Sequence, residues 1–138
     1  MTPYVLDAFA VLAYFCDEPG GARVRELLDA AMAGQARLVL SVVNYGEVVY
    51  ISERVGGQAA AEVAILTLDR LPIEIISVER TLALVAAHIK AHHRMSYADT
   101  FAAALSLDLD ATLLTGDPEF KALEGSIRIE WLPRRAVG

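Results

Sequence analysis

Four acidic residues stand beside apolar runs, where a carboxylate is costly unless it has a task. They are Asp7 in YVLDAFAVLAYF, Glu47 in VVNYGEVVYI, Asp99 in SYADTFAAAL and Asp117 in LLTGDPEF. Three of them have a local use. Asp7 and Asp117 can cap the segments that follow, and Pro118 suits the first helical position after Asp117. Ser96 and Asp99 form a capping-box-like S-x-x-D pattern. Glu47 is harder to place. Its neighbours one helical turn away are Val43, Asn44, Tyr50 and Ile51, a stripe that half-buries a carboxylate and calls for a partner such as an arginine or a cation.

Taken together, the four acids suggest chemistry. If they converge, each close pair costs ~4 kcal/mol of gross Coulomb energy at ~4 Å and an effective dielectric of ~20. Either some of them hold protons, with raised pKa values, or a cation neutralises them. An all-oxygen site with no thiol favours Mg²⁺ or Mn²⁺. Such ions hold water and substrate phosphates, so phosphodiester hydrolysis is the chemistry expected.

The elements that would bring the acids together are legible. Tyr4–Leu6 reads as a buried strand ending at Asp7, followed by a helix over Ala8–Cys16. A turn at Asp17–Gly21 leads into a helix over Ala22–Ala33, with Val24, Leu27, Leu28 and Ala31 at helical spacing. Arg37–Leu40 is a second strand, and Ser41 caps a helix over Val42–Val55. Gly56 and Gly57 separate that helix from another over Gln58–Leu71. Ile73–Val78 is a third strand, Glu79–His93 a helix, and Ser96 opens a further helix to Leu107. Ala111–Thr115 is a fourth strand and Ile127–Leu132 a fifth. Continuously apolar strands alternating with helices predict a parallel sheet covered on both faces. Ligands of such sheets bind at the carboxyl ends of the strands, where all four acids fall. The two successive helices before the fourth strand require a detour that the sequence does not specify.

Composition bounds the rest. The chain has 138 residues, a net charge of −6, 55% hydrophobic residues and a single cysteine. It reads as a single domain over residues 1–138, with no internal repeat or linker, and buries about two-thirds of its unfolded surface. The charge excludes a protein that coats nucleic acid through its overall field, but not an enzyme that grips RNA locally around a metal. The apolar run Tyr4–Cys16 is too short to span a membrane and is broken by Asp7. Cys16 reads as core, and the absence of a second cysteine fits a reducing cytoplasm.

The order VLDAFAVLAYF, NYGEVVYI, SYADTFAAAL, LLTGDPEF resembles the PIN-domain nucleases, and within them the VapC-type toxins of bacterial toxin–antitoxin pairs. The resemblance covers essentially the whole chain. It implies a three-layer α/β/α sandwich around a central parallel sheet of four or five strands. It also implies a Mg²⁺- or Mn²⁺-dependent endoribonuclease. Carried over by position, Asp7, Glu47, Asp99 and Asp117 match the family's four acids, with Asp7 and Asp99 as metal ligands and Glu47 and Asp117 completing the pocket directly or through water. Thr115 matches a hydroxyl residue two places before the last acid. Ala8 and Asn44 depart from the family, which commonly has hydroxyl residues there. The implied mechanism has the metal acidify a water while the surrounding acids orient it and accept its proton. The implied products carry a 5′-phosphate and a 3′-hydroxyl. The implied partners are RNA (a tRNA, rRNA or mRNA), a homodimer mate and a small antitoxin that covers the site.

Other features carry less. His88 and His92 have the i, i+4 spacing of two zinc ligands but lack a third. His88, Lys90, His92, His93 and Arg94 make a basic stretch ahead of Asp99 that reads as an RNA-phosphate contact or as a solvated helix end. Trp131 reads as a core plug. A phosphorelay receiver fails for want of an aspartate after its middle strand, and a haloacid-dehalogenase-type phosphatase fails because position 9 is Phe9. The remaining alternative is a catalytically inactive PIN-like module that binds RNA or protein.

Overall fold

A computed structural model describes residues 3–135. Five strands and five helices alternate: β1 (Pro3–Leu6), α1 (Ala8–Phe15), α2 (Gly21–Met32), β2 (Arg37–Ser41), α3 (Val42–Arg70), β3 (Glu74–Ile76), α4 (Arg80–His92), α5 (Tyr97–Asp108), β4 (Thr112–Thr115) and β5 (Arg128–Trp131). A 3₁₀ segment, Pro118–Leu123, follows β4. All strand pairings are parallel, in the order β3-β2-β1-β4-β5. The result is the expected three-layer α/β/α sandwich.

Strand alternation builds the two faces. Val5, Val39 and Leu113 point to one side and pack with Leu82, Ala86, Ile89 and Phe101 of α4 and α5. Their neighbours Leu6, Leu38, Leu40 and Leu114 point to the other and pack with Val11, Leu27 and Leu28 of α1 and α2 and Val48 and Leu68 of α3. Because both faces are covered, the middle of each central strand is apolar on both sides, and Val5, Leu6, Val39, Leu40, Leu113 and Leu114 are wholly buried.

The helix pair left unplaced by the sequence has a topological reason. The chain must travel from edge strand β3, past β2 and β1, to enter β4 on the far side of β1. The α4–α5 hairpin spans that distance along one face. The strand order therefore reverses between β1 and β4, and the carboxyl ends of those two strands border the crevice where open parallel sheets bind their ligands.

Several expectations are corrected. The third strand is only Glu74–Ile76, because it pairs on one side with β2 and lies at the sheet edge. By contrast, the two helices expected on either side of Gly56 and Gly57 are present, joined within α3 by a kink at Gly57 (φ 81°, ψ −177°), a backbone region that only glycine enters freely. Cys16 is exposed, since α1 ends at Phe15 and Asp17 turns the chain outward through a positive φ of 52°. Trp131 is not a core plug: it ends edge strand β5, 37% exposed. No helix among the described residues is long and apolar enough to cross a membrane.

The link between β4 and the 3₁₀ segment is tightly packed. A Cβ added at Gly116 would lie 2.3 Å from the Phe9 ring of α1. Gly116→Ala is therefore expected to destabilise the protein by ~1–3 kcal/mol through overpacking. Much of that cost should return in a Phe9→Leu background, as read by urea denaturation of the two single variants and the double.

Candidate functional site

The acids gather at the carboxyl edge of the sheet through one connected set of hydrogen bonds. Asp7 follows β1 and caps α1, its Oδ1 accepting from the Ala10 N–H at 2.9 Å. Its Oδ2 accepts from Thr115 Oγ1 at 2.5 Å, across the switch point from the end of β4. The Thr115 hydroxyl in turn accepts from the Asp117 N–H at 3.0 Å, and Asp117 Oδ1 accepts from the Glu119 N–H at 2.9 Å, capping the 3₁₀ segment. Glu119 Oε2 accepts from the Ser96 N–H at 3.3 Å, and Ser96 Oγ accepts from the Asp99 N–H at 3.2 Å, capping α5. Capping and convergence are thus one arrangement for Asp7 and Asp117, not rival explanations.

Asp99 differs from a capping-box acid. In that motif the third helical side chain reaches back to the N-cap N–H. Here Glu119 takes the Ser96 N–H instead, so the Asp99 carboxylate, on a residue only 6% exposed, does not close the box. Glu47 is half-buried one turn and a half into α3. Its Oε1 accepts from Asn44 Nδ2 at 3.2 Å, and the same Nδ2 donates to the Ala98 carbonyl at 3.1 Å. Asn44 therefore joins the start of α3 to the start of α5 beside Asp99. With both its neighbours acceptors, the amide orientation is fixed. Among the described residues, Asn44 Oδ1 is the one buried side-chain polar atom without a partner, an acceptor facing no donor in a group of carboxylates.

Electrostatics carry the mark of this crowding. Burial pushes Asp7 up to about 7, against the lowering effect of the Thr115 and Ala10 hydrogen bonds, and the charges of Asp117 and Glu47 add to the rise. Burial likewise pushes Asp99 up to about 8, helped by Glu119 and by the charges of Asp117 and Asp7. Glu47 is raised by burial and by Asp117, and lowered by Asn44. The ion pairs among the described residues engage Glu18, Glu26, Glu74, Asp110 and Glu130, and none of the acids at this edge. The arginine suggested as a structural partner for Glu47 is therefore not found among them.

Carboxylate oxygens of Asp99, Asp117 and Glu119 lie within 4.8 Å of one another, close enough to share a metal ion. Glu119 was not anticipated from the sequence. Its signal is the D-x-E spacing after β4, which became meaningful only once the 3₁₀ turn brought it beside Ser96. The other candidates disperse. His88 and His92 lie tilted against each other with centroids 4.6 Å apart on the exposed side of α4, without a third ligand among the described residues, and Lys90 Nζ donates to the Met95 carbonyl in the link between α4 and α5. A separate open groove of about 1370 Å³ lies between α1–α2 and α3, with Phe15, Cys16, Ile51, Val55 and Val63 among its walls. It includes none of the clustered acids.

A family profile described as PIN domain matches residues 4–126. None of the curated proteins compared with the chain matches it. Solved structures similar in fold include VapBC2 from Rickettsia felis bound to a DNA fragment from its promoter, with 17% identity and a TM-score of 0.73 over 95% of this chain and 99% of that one. Another is VapC20 from Mycobacterium tuberculosis, described as a sarcin–ricin-loop-cleaving toxin, with 18% identity and a TM-score of 0.71 over 94% and 99%. A toxin–antitoxin complex from Klebsiella pneumoniae is similar at 13% identity and a TM-score of 0.69 over 96% and 99%.

The raised values of Asp7 and Asp99 fix a direction of pH dependence. The folded state holds these protons after the unfolded chain has released them, so stability contributed at pH 4 is lost as pH rises toward 7 and 8. In EDTA, stability against urea is expected to fall across that window by up to ~1.4 kcal/mol per pH unit for each such group. The slope should be shallower in Asp7→Asn, and Mn²⁺ should raise the melting temperature more at pH 8 than at pH 5.5. Equal slopes in both proteins would place the titration elsewhere.

Proposed function

The chain belongs to the PIN domain family, and on that premise we propose that its acidic edge is the active site of a Mg²⁺- or Mn²⁺-dependent endoribonuclease, the toxin of a type II toxin–antitoxin pair of the VapC type. The observation that carries this reading is the gathering of Asp7, Glu47, Asp99, Asp117 and Glu119 without an ion-pair partner among the described residues, with Asp7 and Asp99 raised to about 7 and 8. The residues fit a hard divalent cation. The donors are all oxygens, three of them already within a shared coordination distance, and Asn44 Oδ1 is a buried acceptor awaiting a donor such as an ordered water.

In this reading Asp7 and Asp99 would hold the cation, and Glu47, Asp117 and Glu119 would complete the pocket directly or through water. The bound cation supplies Lewis-acid polarisation of the scissile phosphate and a water acidic enough to attack near neutral pH. The protein's own groups do the rest. Thr115 holds Asp7 in place from the far side of the switch point. Asn44 fixes Glu47 Oε1, leaving Oε2 free to accept the proton of the attacking water. The carboxylates would orient the attacking water so that its oxygen bonds to phosphorus as the bond to the 3′-oxygen breaks; that oxygen would take a proton from solvent, leaving a 5′-phosphate and a 3′-hydroxyl.

The descriptions of the similar structures as a toxin–antitoxin complex and as a sarcin–ricin-loop-cleaving toxin support the wider assignment. Residues 1–138 would act as one cytoplasmic PIN domain, as a homodimer, held inactive by a cognate antitoxin. The apolar groove between α1–α2 and α3 offers surface for such a partner, and a basic side chain from it would neutralise the uncompensated acids.

Purified protein free of antitoxin, incubated with total tRNA and rRNA, is expected to make discrete cuts with Mg²⁺ or Mn²⁺ and none with EDTA. Asp7→Asn should lower the rate by ~100-fold or more, on the scale of losing a group that stabilises transition-state charge. No cleavage of any RNA, together with no Mn²⁺ binding by calorimetry, would favour an inactive PIN-like binding module. Asn44→Ala removes the strut under Glu47 and is expected to weaken Mn²⁺ binding ~10–100-fold, as for residues that orient metal ligands. Calorimetric titration of the two proteins gives the comparison directly.

A further inference from the structure

Glu47 shares its face of α3 with two residues the acidic site does not use. At 3.6 residues per turn, Tyr50 and Arg54, three and seven positions on, fall in the same stripe. Both are exposed, Tyr50 by 49%. The Arg54 guanidinium lies over the Tyr50 ring, 5.2 Å from its centroid. Arg54 is in no ion pair among the described residues. Tyr50 and Arg54, with Glu53, line a shallow hollow of about 400 Å³.

Gly46 adds an independent observation at the other end of the stripe. It sits inside α3 next to Glu47, where a glycine weakens a helix relative to alanine. No packing requires it, because a Cβ there would meet no atom within 4 Å. Its effect is to leave the helix surface beside Glu47 bare, open to close approach by a ligand. From Gly46 outward, the face runs from bare backbone and a carboxylate to an aromatic ring and then to a cation, within a chain of net charge −6.

We propose that Tyr50 and Arg54 form a nucleotide subsite flanking the acidic pocket, in which the Tyr50 ring stacks on an unpaired base and Arg54 takes an adjacent phosphate. An aromatic face paired with a cation is the chemistry that holds single strands, because every base has a face to stack and every link has a charge to meet. A base inside a duplex is already stacked on both sides and gains nothing from Tyr50. Arg54 lies over one side of a ring on a residue that is 49% exposed. This inference rests on the reading of the acidic edge as a nuclease site.

The test separates the two. Asp7→Asn protein is titrated with a single-stranded RNA 12-mer carrying 2-aminopurine, whose fluorescence falls on stacking, so that binding is read without cleavage. Binding should quench the probe. Tyr50→Ala in that background should weaken binding ~5- to 150-fold and remove the quench, and Tyr50→Phe should restore both. Arg54→Ala should weaken binding and lower the salt dependence by about one charge. In the Asp7 form, Tyr50→Ala should raise KM while leaving kcat within about twofold, and a duplex of the same sequence should be a poor substrate. Unchanged affinity and quench in Tyr50→Ala overturns the subsite, as does equal weakening by Tyr50→Phe or an unchanged KM, even where cleavage is intact. Tyr50-dependent quenching without cleavage by any form upholds the subsite and overturns the nuclease reading.

Discussion

The hydrogen bond from Thr115 Oγ1 to Asp7 Oδ2 closes the crevice between the ends of β1 and β4, and the arrangement of the carboxyl edge depends on it. It brings a wholly buried hydroxyl against a wholly buried carboxylate at the point where the strand order reverses. From there the contacts run on without a break, through the Asp117 and Glu119 amides to Ser96 and Asp99. Each link is a backbone N–H or a hydroxyl offered to an oxygen. The links fix the positions of the carboxylates while doing little to neutralise their charge. The fold thus imposes proximity and leaves the charge to be met from outside.

That division explains why the caps matter to function. A helix N-terminus presents N–H groups that have no partner within the helix, and at this edge the acids and Ser96 satisfy them. The 3₁₀ segment, α1 and α5 are each capped by a member of the connected set. Moving any one of these helices would uncap it and shift an acid at the same time. Asn44 gives α3 the same rigidity by a different route, bridging Glu47 to the Ala98 carbonyl. The acids are therefore placed by secondary-structure ends resting on a sheet packed on both faces, which is a stiffer support than a loop.

The rest of α3 works differently. Beyond Glu47 it sends Val48 and Leu68 into the core, breaks at Gly57 and forms one wall of the apolar groove. Val55, Val63 and Leu66 remain exposed along it. One helix therefore contributes a carboxylate to the acidic edge, an aromatic–cation pair beside it and an apolar surface farther on. These are three chemically different surfaces laid out along a single element.

The sequence by itself determined the layers of this protein and the residues worth watching. Strand and helix periods are local properties, so the buried runs Tyr4–Leu6 and Ala111–Thr115 and the helix starts at Ser41 and Ser96 could be read from a few neighbours. Asp7, Glu47, Asp99 and Asp117 were conspicuous because an acid beside apolar residues needs a reason. Tertiary structure alone decided what lies far apart in the chain. Glu119, overlooked in the sequence, meets Ser96 because a 3₁₀ turn and not an α-helix follows Asp117. The Asn44–Ala98 and Thr115–Asp7 hydrogen bonds join residues 54 and 108 positions apart. Cys16 and Trp131, apolar enough to suggest core, lie exposed because a helix end and a sheet edge fall there. Residue type sets the cost of burial, but only the packing of distant segments decides which residues are buried.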